Sequence, residues 1–312
     1  MIRVAFLGTP QVAVPVLHAL VAAHPIQAVF SNPDRPAGRG RALTAPPVKM
    51  TALGLGITVH QPERWKSEEI KSLWTSLEID LAIVVAYGHI LPSWMLESCR
   101  LGAWNLHFSL LPRWRGAAPV NHAILAGDTE TGVSLMRLSQ GLDEGPVLAM
   151  SRRFITMQDT SESLLAQLAG DAAALLEKHL PTLLDGTARP QVQDHAFATF
   201  APKLTKEMSH LDPTRPALEL HQCVRALQPW PGVELLLENL SLKVLEVGSM
   251  QSSTDAPGTL RWDKSGAWIT AGDGRAVELT RLQRPGKAAQ PALQALQPWG
   301  LSGVRYEVRG AR

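Results

Sequence analysis

Ala82-Ile83-Val84-Val85-Ala86 is an unbroken apolar run of strand length, rich in β-branched residues and followed at once by Tyr87-Gly88. A strand with water on one face alternates apolar and polar residues; one that is apolar throughout is covered on both faces, as in a parallel sheet. Working outward, Arg3–Leu7 and Ile26–Phe30 repeat the short buried-strand pattern, and Ala13–Ala23 between them reads as a helix. Trp104–Phe108 is a further strand candidate. Parallel strands need crossover connections, so this alternation predicts an α/β fold with a doubly wound, mostly parallel sheet. Ligands in such sheets gather at the carboxyl ends of the strands. The loops after residues 7, 30, 86 and 108 are therefore where chemistry is expected.

A long helix closes this region. Asp159 is expected to cap its start with Glu162 in capping-box position, and Gly186 to stop it. Leu164, Leu165, Leu168, Ala172, Leu175, Leu176, Leu180, Leu183 and Leu184 between them keep helical spacing. Residues 187–216 carry four prolines and little periodicity, which suits a connecting segment. A helix over Pro216–Leu227 follows. Short strand patterns then succeed one another at Val233–Leu237, Leu240–Val247, Gly258–Trp262, Trp268–Thr270 and Val277–Leu282, with turn signals between them. That rhythm predicts a small antiparallel barrel. The expected division is 1–188 for the α/β domain, 189–206 for the linker and 207–312 for the smaller β domain.

Composition narrows the function class. Hydrophobic residues at 45% and charged residues at 19% suit a folded globular chain, and a formal net charge of +2 announces no nucleic-acid partner by itself. Two distant cysteines, Cys99 and Cys223, offer neither a disulfide framework nor a zinc site, so no metal is expected. No run approaches eighteen apolar residues, and the N-terminus reads as a strand rather than a secretion signal. A cytoplasmic monomer is the expectation.

The densest chemistry lies in Trp104-Asn105-Leu106-His107-Phe108-Ser109-Leu110-Leu111-Pro112 and its continuation to Pro119. Asn105 and His107, two apart on a strand, share one face, while Trp104, Leu106 and Phe108 take the other. Downstream, Gly141 and Gly145 flank Leu142-Asp143-Glu144, a tight turn able to carry a carboxylate to another strand. An Asn amide can donate to a developing oxyanion, and a carboxylate can hold a histidine ring. Asn, His and Asp together read as acyl-transfer equipment without a protein nucleophile. Taken singly, each has a plainer reading: a hydrogen-bonded strand-end histidine beside a structural Asn, and a solvated turn Asp.

With these residues in place the chain resembles the 10-formyltetrahydrofolate-dependent formyltransferases. The signature is Asn105 to Pro112, continued by Arg113-Trp114-Arg115-Gly116, with Gly141-Leu142-Asp143 downstream. Gly8-Thr9-Pro10, Pro33 to Gly40, Val85-Ala86-Tyr87-Gly88, Lys203-Leu204-Thr205-Lys206-Glu207, Arg225-Ala226 and Pro229-Trp230-Pro231 extend the likeness over essentially the whole chain, and to the branch acting on methionyl-tRNA. The resemblance implies a folate-binding N-terminal domain joined to an OB-like β-barrel. It implies 10-formyltetrahydrofolate as co-substrate and the methionine amine of initiator methionyl-tRNA as acceptor. It assigns catalysis to Asn105, His107 and Asp143. It lays the folate against Val85, Ala86, Tyr87 and Gly88 and against Ser109, Leu110, Leu111 and Pro112, with Leu91 and Pro92 extending the wall.

The loop Asp34-Arg35-Pro36-Ala37-Gly38-Arg39-Gly40-Arg41 holds three arginines among Gly and Pro, with Lys49 beyond it. By composition it is an electropositive surface loop; by resemblance it enters the acceptor-stem groove of tRNA, with Arg39 making a specific contact and Arg35 or Arg41 meeting phosphate. Lys203 and Lys206, with Arg281, Arg284 and Lys287, are further candidates for phosphate. Three rival readings stand beside this one. A dinucleotide-dependent dehydrogenase requires G-x-G-x-x-G, and Gly8-Thr9-Pro10-Gln11-Val12-Ala13 supplies a single glycine. A formyltransferase acting on glycinamide ribonucleotide or an amino sugar does not account for the arginine loop and the C-terminal barrel. A tRNA-binding module without catalysis would leave Asn105, His107 and Asp143 scattered.

Overall fold

The computed structural model describes residues 1–37, 42–237, 240–299 and 306–307. The chain divides into two compact units: 1–119 with 130–154 and 165–202, and 120–129 with 155–164 and 203–312.

In the first unit, β1 (Val4–Gly8), α1 (Val14–Ala23) and β2 (Ile26–Phe30) follow one another as the sequence predicts. A small hairpin of β3 (Arg35–Ala37) and β4 (Ala42–Thr44) comes next, then α2 (Pro47–Gly54), β5 (Val59–His60) and α3 (Glu68–Leu77). The decisive run forms β6 (Leu81–Val85), followed by α4 (Ser93–Ser98) and β7 (Ala103–His107). β8 (Arg115–Gly116) follows; after α5 (Pro119–Leu125), which belongs to the second unit from residue 120 on, the chain returns as β9 (Glu130–Arg137) and β10 (Val147–Phe154).

Seven of these strands make one sheet in the order β10-β9-β7-β6-β1-β2-β5. The five from β5 to β7 run parallel, and β9 and β10 close the far edge antiparallel. All five residues of β6 are buried, the result expected of a strand covered on both sides. Ala82 and Val84 pack on one face with Phe30, Trp65, Trp74, Tyr87 and Met95. The Phe30, Trp65 and Trp74 rings lie 5.2–5.6 Å apart, in tilted and edge-on contacts favourable for aromatics.

The long helix α6 (Ser161–Leu184) begins slightly later than predicted. Its start is capped by Thr160 and Ser163, each side chain accepting from the other's backbone N–H at 3.1 and 3.0 Å. The Asp159 carboxylate instead accepts from the Thr156 N–H and hydroxyl, so the capping box stands one residue further along than expected, with Ser163 in the place read for Glu162. Beyond α6, β11 (Phe200–Ala201) pairs in parallel with β8.

The second unit carries α7 (Ala217–Leu227) and an antiparallel sheet. Its strands are β12 (Val233–Leu237), β13 (Leu240–Ser252), β14 (Thr259–Asp263), β15 (Gly266–Thr270) and β16 (Arg275–Gln283), then β17 (Ala289–Pro291), the helix α8 (Ala292–Leu296) and β18 (Tyr306–Glu307). The order β12-β13-β16-β15-β14-β18, with β17 on β16, matches the predicted antiparallel rhythm; among the described residues the path does not close into a full barrel. No helix among the described residues is long and apolar enough to cross a membrane.

Candidate active site

The carboxyl ends of β1, β2, β6 and β7 lie along one edge of the sheet, because parallel strands all point the same way. The loops after β1, β2 and β6 are tied together. Asn32, after β2, donates from its side chain to the Tyr87 carbonyl at 3.1 Å and from its backbone to Thr9 Oγ1 at 3.2 Å. Gln61 donates to the Asn32 carbonyl at 2.6 Å. Asn32 Oδ1 is buried with no hydrogen-bond partner among the described residues, an acceptor left open at this edge. Asn32 and Gln61 went unremarked in the sequence, and Thr9 was quoted only within Gly8-Thr9-Pro10, because their roles depend on contacts between distant loops.

At the end of β6 and just beyond it, Val85 and Tyr87 point into the core while Ala86 and Gly88 are exposed. The Tyr87 hydroxyl accepts from Trp65 Nε1 at 3.0 Å, and burial pushes its pKa up. With its carbonyl also taken, this segment presents mainly the backbone of Ala86 and Gly88, both at positive φ, 46° and 82°. Burial, with Arg35 adding like charge, holds the His89 pKa down.

At the end of β7, His107 is 6% exposed and Asn105 half-buried. The Asn105 side chain makes no hydrogen bond among the described residues and keeps its amide available. His107 Nε2 lies 2.8 Å from the Trp114 carbonyl. A carbonyl only accepts, so Nε2 carries a hydrogen and Nδ1 is the nitrogen left to exchange one. Nδ1 faces Asp143 Oδ2 at 3.6 Å, an electrostatic approach too long for a direct hydrogen bond. The same carboxylate oxygen accepts from the Gly116 N–H at 2.9 Å. Asp143 itself adopts φ 47°, which turns its side chain back toward the sheet.

The Ser109–Pro112 turn divides by role. Ser109 is fully buried, donating its hydroxyl to the Arg113 carbonyl at 2.6 Å, and Leu111 packs with Met136 and Val147. Ser134 donates to the Ser109 carbonyl and accepts from the Leu111 N–H, fixing the turn to β9. Leu110 and Pro112, only half-buried, keep surface for a ligand.

Residues 191–201, expected as part of a linker, are bonded to this loop. Thr199 accepts from the Trp114 N–H through its hydroxyl and from the Arg115 N–H through its carbonyl, at 2.9 and 2.8 Å, and Ala201 accepts from the Ala117 N–H at 2.8 Å. Arg115 and Gln193, both buried, join the same assembly. Sequence reading missed these contacts because their partners lie about eighty positions apart along the chain.

Of the basic residues singled out in the sequence, Arg35 is exposed on β3, while Arg39 and Arg41 lie outside the described residues. Lys49 is spent on an ion pair with Asp34 at 2.8 Å; that bond, then one from Gln61, holds the Asp34 carboxyl below its usual range. Lys203 and Lys206 are exposed, as is Lys287; Arg281 pairs with Glu246 at 3.2 Å and Arg284 is half-buried. Among the described residues no three His, Cys, Asp or Glu side chains gather to hold a metal ion.

A parallel α/β unit with Asn, His and Asp drawn to its carboxyl edge, followed by an antiparallel β unit, defines a two-part architecture that comparison with known proteins places. Residues 2–180 match the family described as Formyl transferase, and residues 203–298 match Formyl transferase, C-terminal domain; the chain belongs to the formyl transferase family. It is 47% identical over 298 residues to the methionyl-tRNA formyltransferase of Halorhodospira halophila, covering 94% of this chain and 95% of that one. It is 45% identical to the methionyl-tRNA formyltransferase of Ectopseudomonas mendocina, with 91% of each covered. Among solved structures, an N-formyltransferase from Helicobacter canadensis in complex with folinic acid and dTDP-3-aminofucose superposes with a TM-score of 0.68 at 18% identity, over 89% of this chain and 99% of that one. HypX from Aquifex aeolicus in complex with tetrahydrofolic acid gives 0.66 at 15% identity, over 98% of this chain and 51% of that one. At such identities these two likenesses establish the fold.

Proposed function

We propose that the protein transfers a formyl group from 10-formyltetrahydrofolate to the α-amino group of methionine on initiator methionyl-tRNA, giving N-formylmethionyl-tRNA for translation initiation. The observation that carries this reading is the near-complete match to two methionyl-tRNA formyltransferases at 47% and 45% identity.

The residues present suit the folate. Exposed Ala86 and Gly88 backbone, the half-buried surfaces of Leu110 and Pro112, and the open Asn32 acceptor form a mixed apolar and polar edge of the kind that reads a flat heterocycle. Val85, Tyr87, Ser109 and Leu111 support that edge from behind. Catalysis is assigned to Asn105, His107 and Asp143. The methionine nitrogen attacks the formyl carbon, a new C–N bond forms, and the bond from that carbon to the folate nitrogen breaks, leaving tetrahydrofolate. Asn105 offers its NH₂ to the oxygen as negative charge grows there. His107, its Nε2–H held by Trp114, takes the amine proton at Nδ1 and returns it to the departing nitrogen. Asp143 stabilises the charged ring between those events, and the Gly116 N–H keeps the carboxylate in place.

The α/β domain over 1–188 carries the chemistry, 207–312 serves as a tRNA-binding domain, and 189–206 links them. Arg35, Arg39, Arg41, Lys203 and Lys206 meet the tRNA, and the protein acts as a cytoplasmic monomer. Purified protein incubated with 10-formyltetrahydrofolate and charged initiator or elongator methionine tRNA tests the reading. Formation of N-formylmethionine on the initiator species supports it; an inert initiator tRNA refutes it.

A further inference from the structure

We infer that Gln193, clamped by the buried guanidinium of Arg115, is the positioning residue that holds Asp143 at the active site. The inference rests on the functional reading above and extends it to a residue that touches neither substrate nor reacting atoms.

Asp143 sits in a run of bends between β9 and β10, with its neighbour Leu142 60% exposed and its own backbone in the left-handed region at φ 47°. Nothing in the regular structure of the sheet requires that conformation, which carries a steric cost for a residue with a Cβ. Gln193, 6% exposed, supplies the missing restraint: its Nε2 donates to the Asp143 carbonyl at 2.9 Å and to the Gly145 carbonyl at 2.7 Å. On its other side Oε1 accepts from Arg115 Nε at 3.1 Å and Nη2 at 2.8 Å.

The chemistry of these four contacts allows a single orientation of the amide. A guanidinium can only donate and a carbonyl can only accept, so Oε1 must face Arg115 and Nε2 must face the loop. Arg115 is 3% exposed and anchored in turn: its backbone N–H donates to the Thr199 carbonyl, and its Nη1 lies 3.2 Å from His195 Nδ1. The next residue, Gly116, gives its N–H to Asp143 Oδ2. Asp143 is thus held twice from one short stretch of chain. Its carboxylate is held directly by Gly116, and its main chain is held by Gln193 acting from Arg115. The polarity of the amide is the essential property. A side chain that kept the acceptor but lost the donor would keep the guanidinium paired and release the loop.

Gln193→Glu makes that change. One carboxylate oxygen still accepts from Arg115, while the other confronts the two carbonyl oxygens that Nε2 formerly joined. The expected result is a protein that still folds at assay temperature, with a lowered melting temperature because two carbonyls lose their buried donor. Its kcat should be lower by about 10²-fold beyond any change in the folded fraction, the cost of displacing a catalytic group by roughly 1 Å. KM for 10-formyltetrahydrofolate and for charged tRNA should stay within about twofold, because substrate-binding groups are untouched. Hydrogen exchange should quicken at 141–145 and at the Gly116 amide, a readout independent of turnover. Because Gln193 acts through Asp143, Asp143→Asn combined with Gln193→Glu should be no slower than Asp143→Asn alone.

Native kcat in Gln193→Glu, a loss that merely follows the folded fraction, or effects that multiply in the double variant would each overturn the assignment. If the native chain formylates no tRNA, the functional reading fails instead, and unchanged exchange at Gly116 in Gln193→Glu still decides against the clamp.

Discussion

Gly116 is a residue at which a single methyl group should disturb both the packing and the catalytic carboxylate. Its N–H is 2.9 Å from Asp143 Oδ2, and its φ of 125° lies where side chains are strained. A Cβ built there would lie 2.6 Å from the Ala201 carbonyl oxygen, which is backbone paired with β8 and not a flexible side chain. Relief requires Gly116 and Ala201 to separate by on the order of half an ångström. A shift of that size takes the Gly116–Asp143 contact to roughly 3.4 Å, past the ordinary N–H···O range. Gly116→Ala should therefore cost about 2–3 kcal/mol of stability from positive φ and crowding together. It should also lower kcat by about 10²-fold as the carboxylate loses its anchor. Denaturant unfolding followed by circular dichroism measures the first, and steady-state formylation of charged initiator tRNA measures the second. A stable variant with native kcat would show that the Gly116 N–H does not hold Asp143 for the reaction.

Three further outcomes follow from other parts of the molecule. Burial, reinforced by the Arg225 charge, depresses the His221 pKa to about 4 from an ordinary 6.5, so the unfolded chain binds the extra proton first as pH falls. Up to about 3 kcal/mol of stability should be lost between pH 6.5 and 4 on this account, and His221→Gln should flatten that part of the melting-temperature profile; an identical slope in the variant contradicts the assignment. Burial raises the Cys99 thiol to about 12, so Cys99 should resist an alkylating reagent at neutral pH until the protein is denatured; rapid labelling of the native chain speaks against its packing beneath β6. Arg39→Ala should lower kcat/KM on charged tRNA and make its salt dependence shallower, while an unchanged value removes the arginine loop from tRNA recognition.

Much of the first unit was legible because each feature was local. The apolar run of β6, the strand-helix-strand alternation, and the shared face of Asn105 and His107 all follow from spacing. The two glycines around Asp143 signalled a tight turn, and the structure brings its carboxylate toward His107. What stayed hidden depends on contacts formed only after folding. Thr199 and Gln193 sit in a stretch without periodicity, and its contribution lies in hydrogen bonds to residues about eighty positions earlier. The antiparallel edge of β9 and β10 was not assigned in advance. The helix cap moved from Asp159 to Thr160 because the Asp159 carboxylate was taken by the Thr156 N–H and hydroxyl. Val85 and Tyr87 illustrate a further limit: the sequence marks the segment after β6 as a ligand edge, yet alternation turns those two side chains inward and leaves Ala86 and Gly88 to face outward.

In the proposed mechanism His107 and Asp143 act as one proton-handling unit beside Asn105. Single-turnover formylation, with enzyme in excess over charged initiator tRNA and saturating 10-formyltetrahydrofolate, tests it in His107→Ala, Asp143→Ala and the double variant. Each single variant should fold and form N-formylmethionine about 10³-fold more slowly, with little further loss when the two are combined. A native rate in either single variant, or losses that multiply in the double, would contradict it.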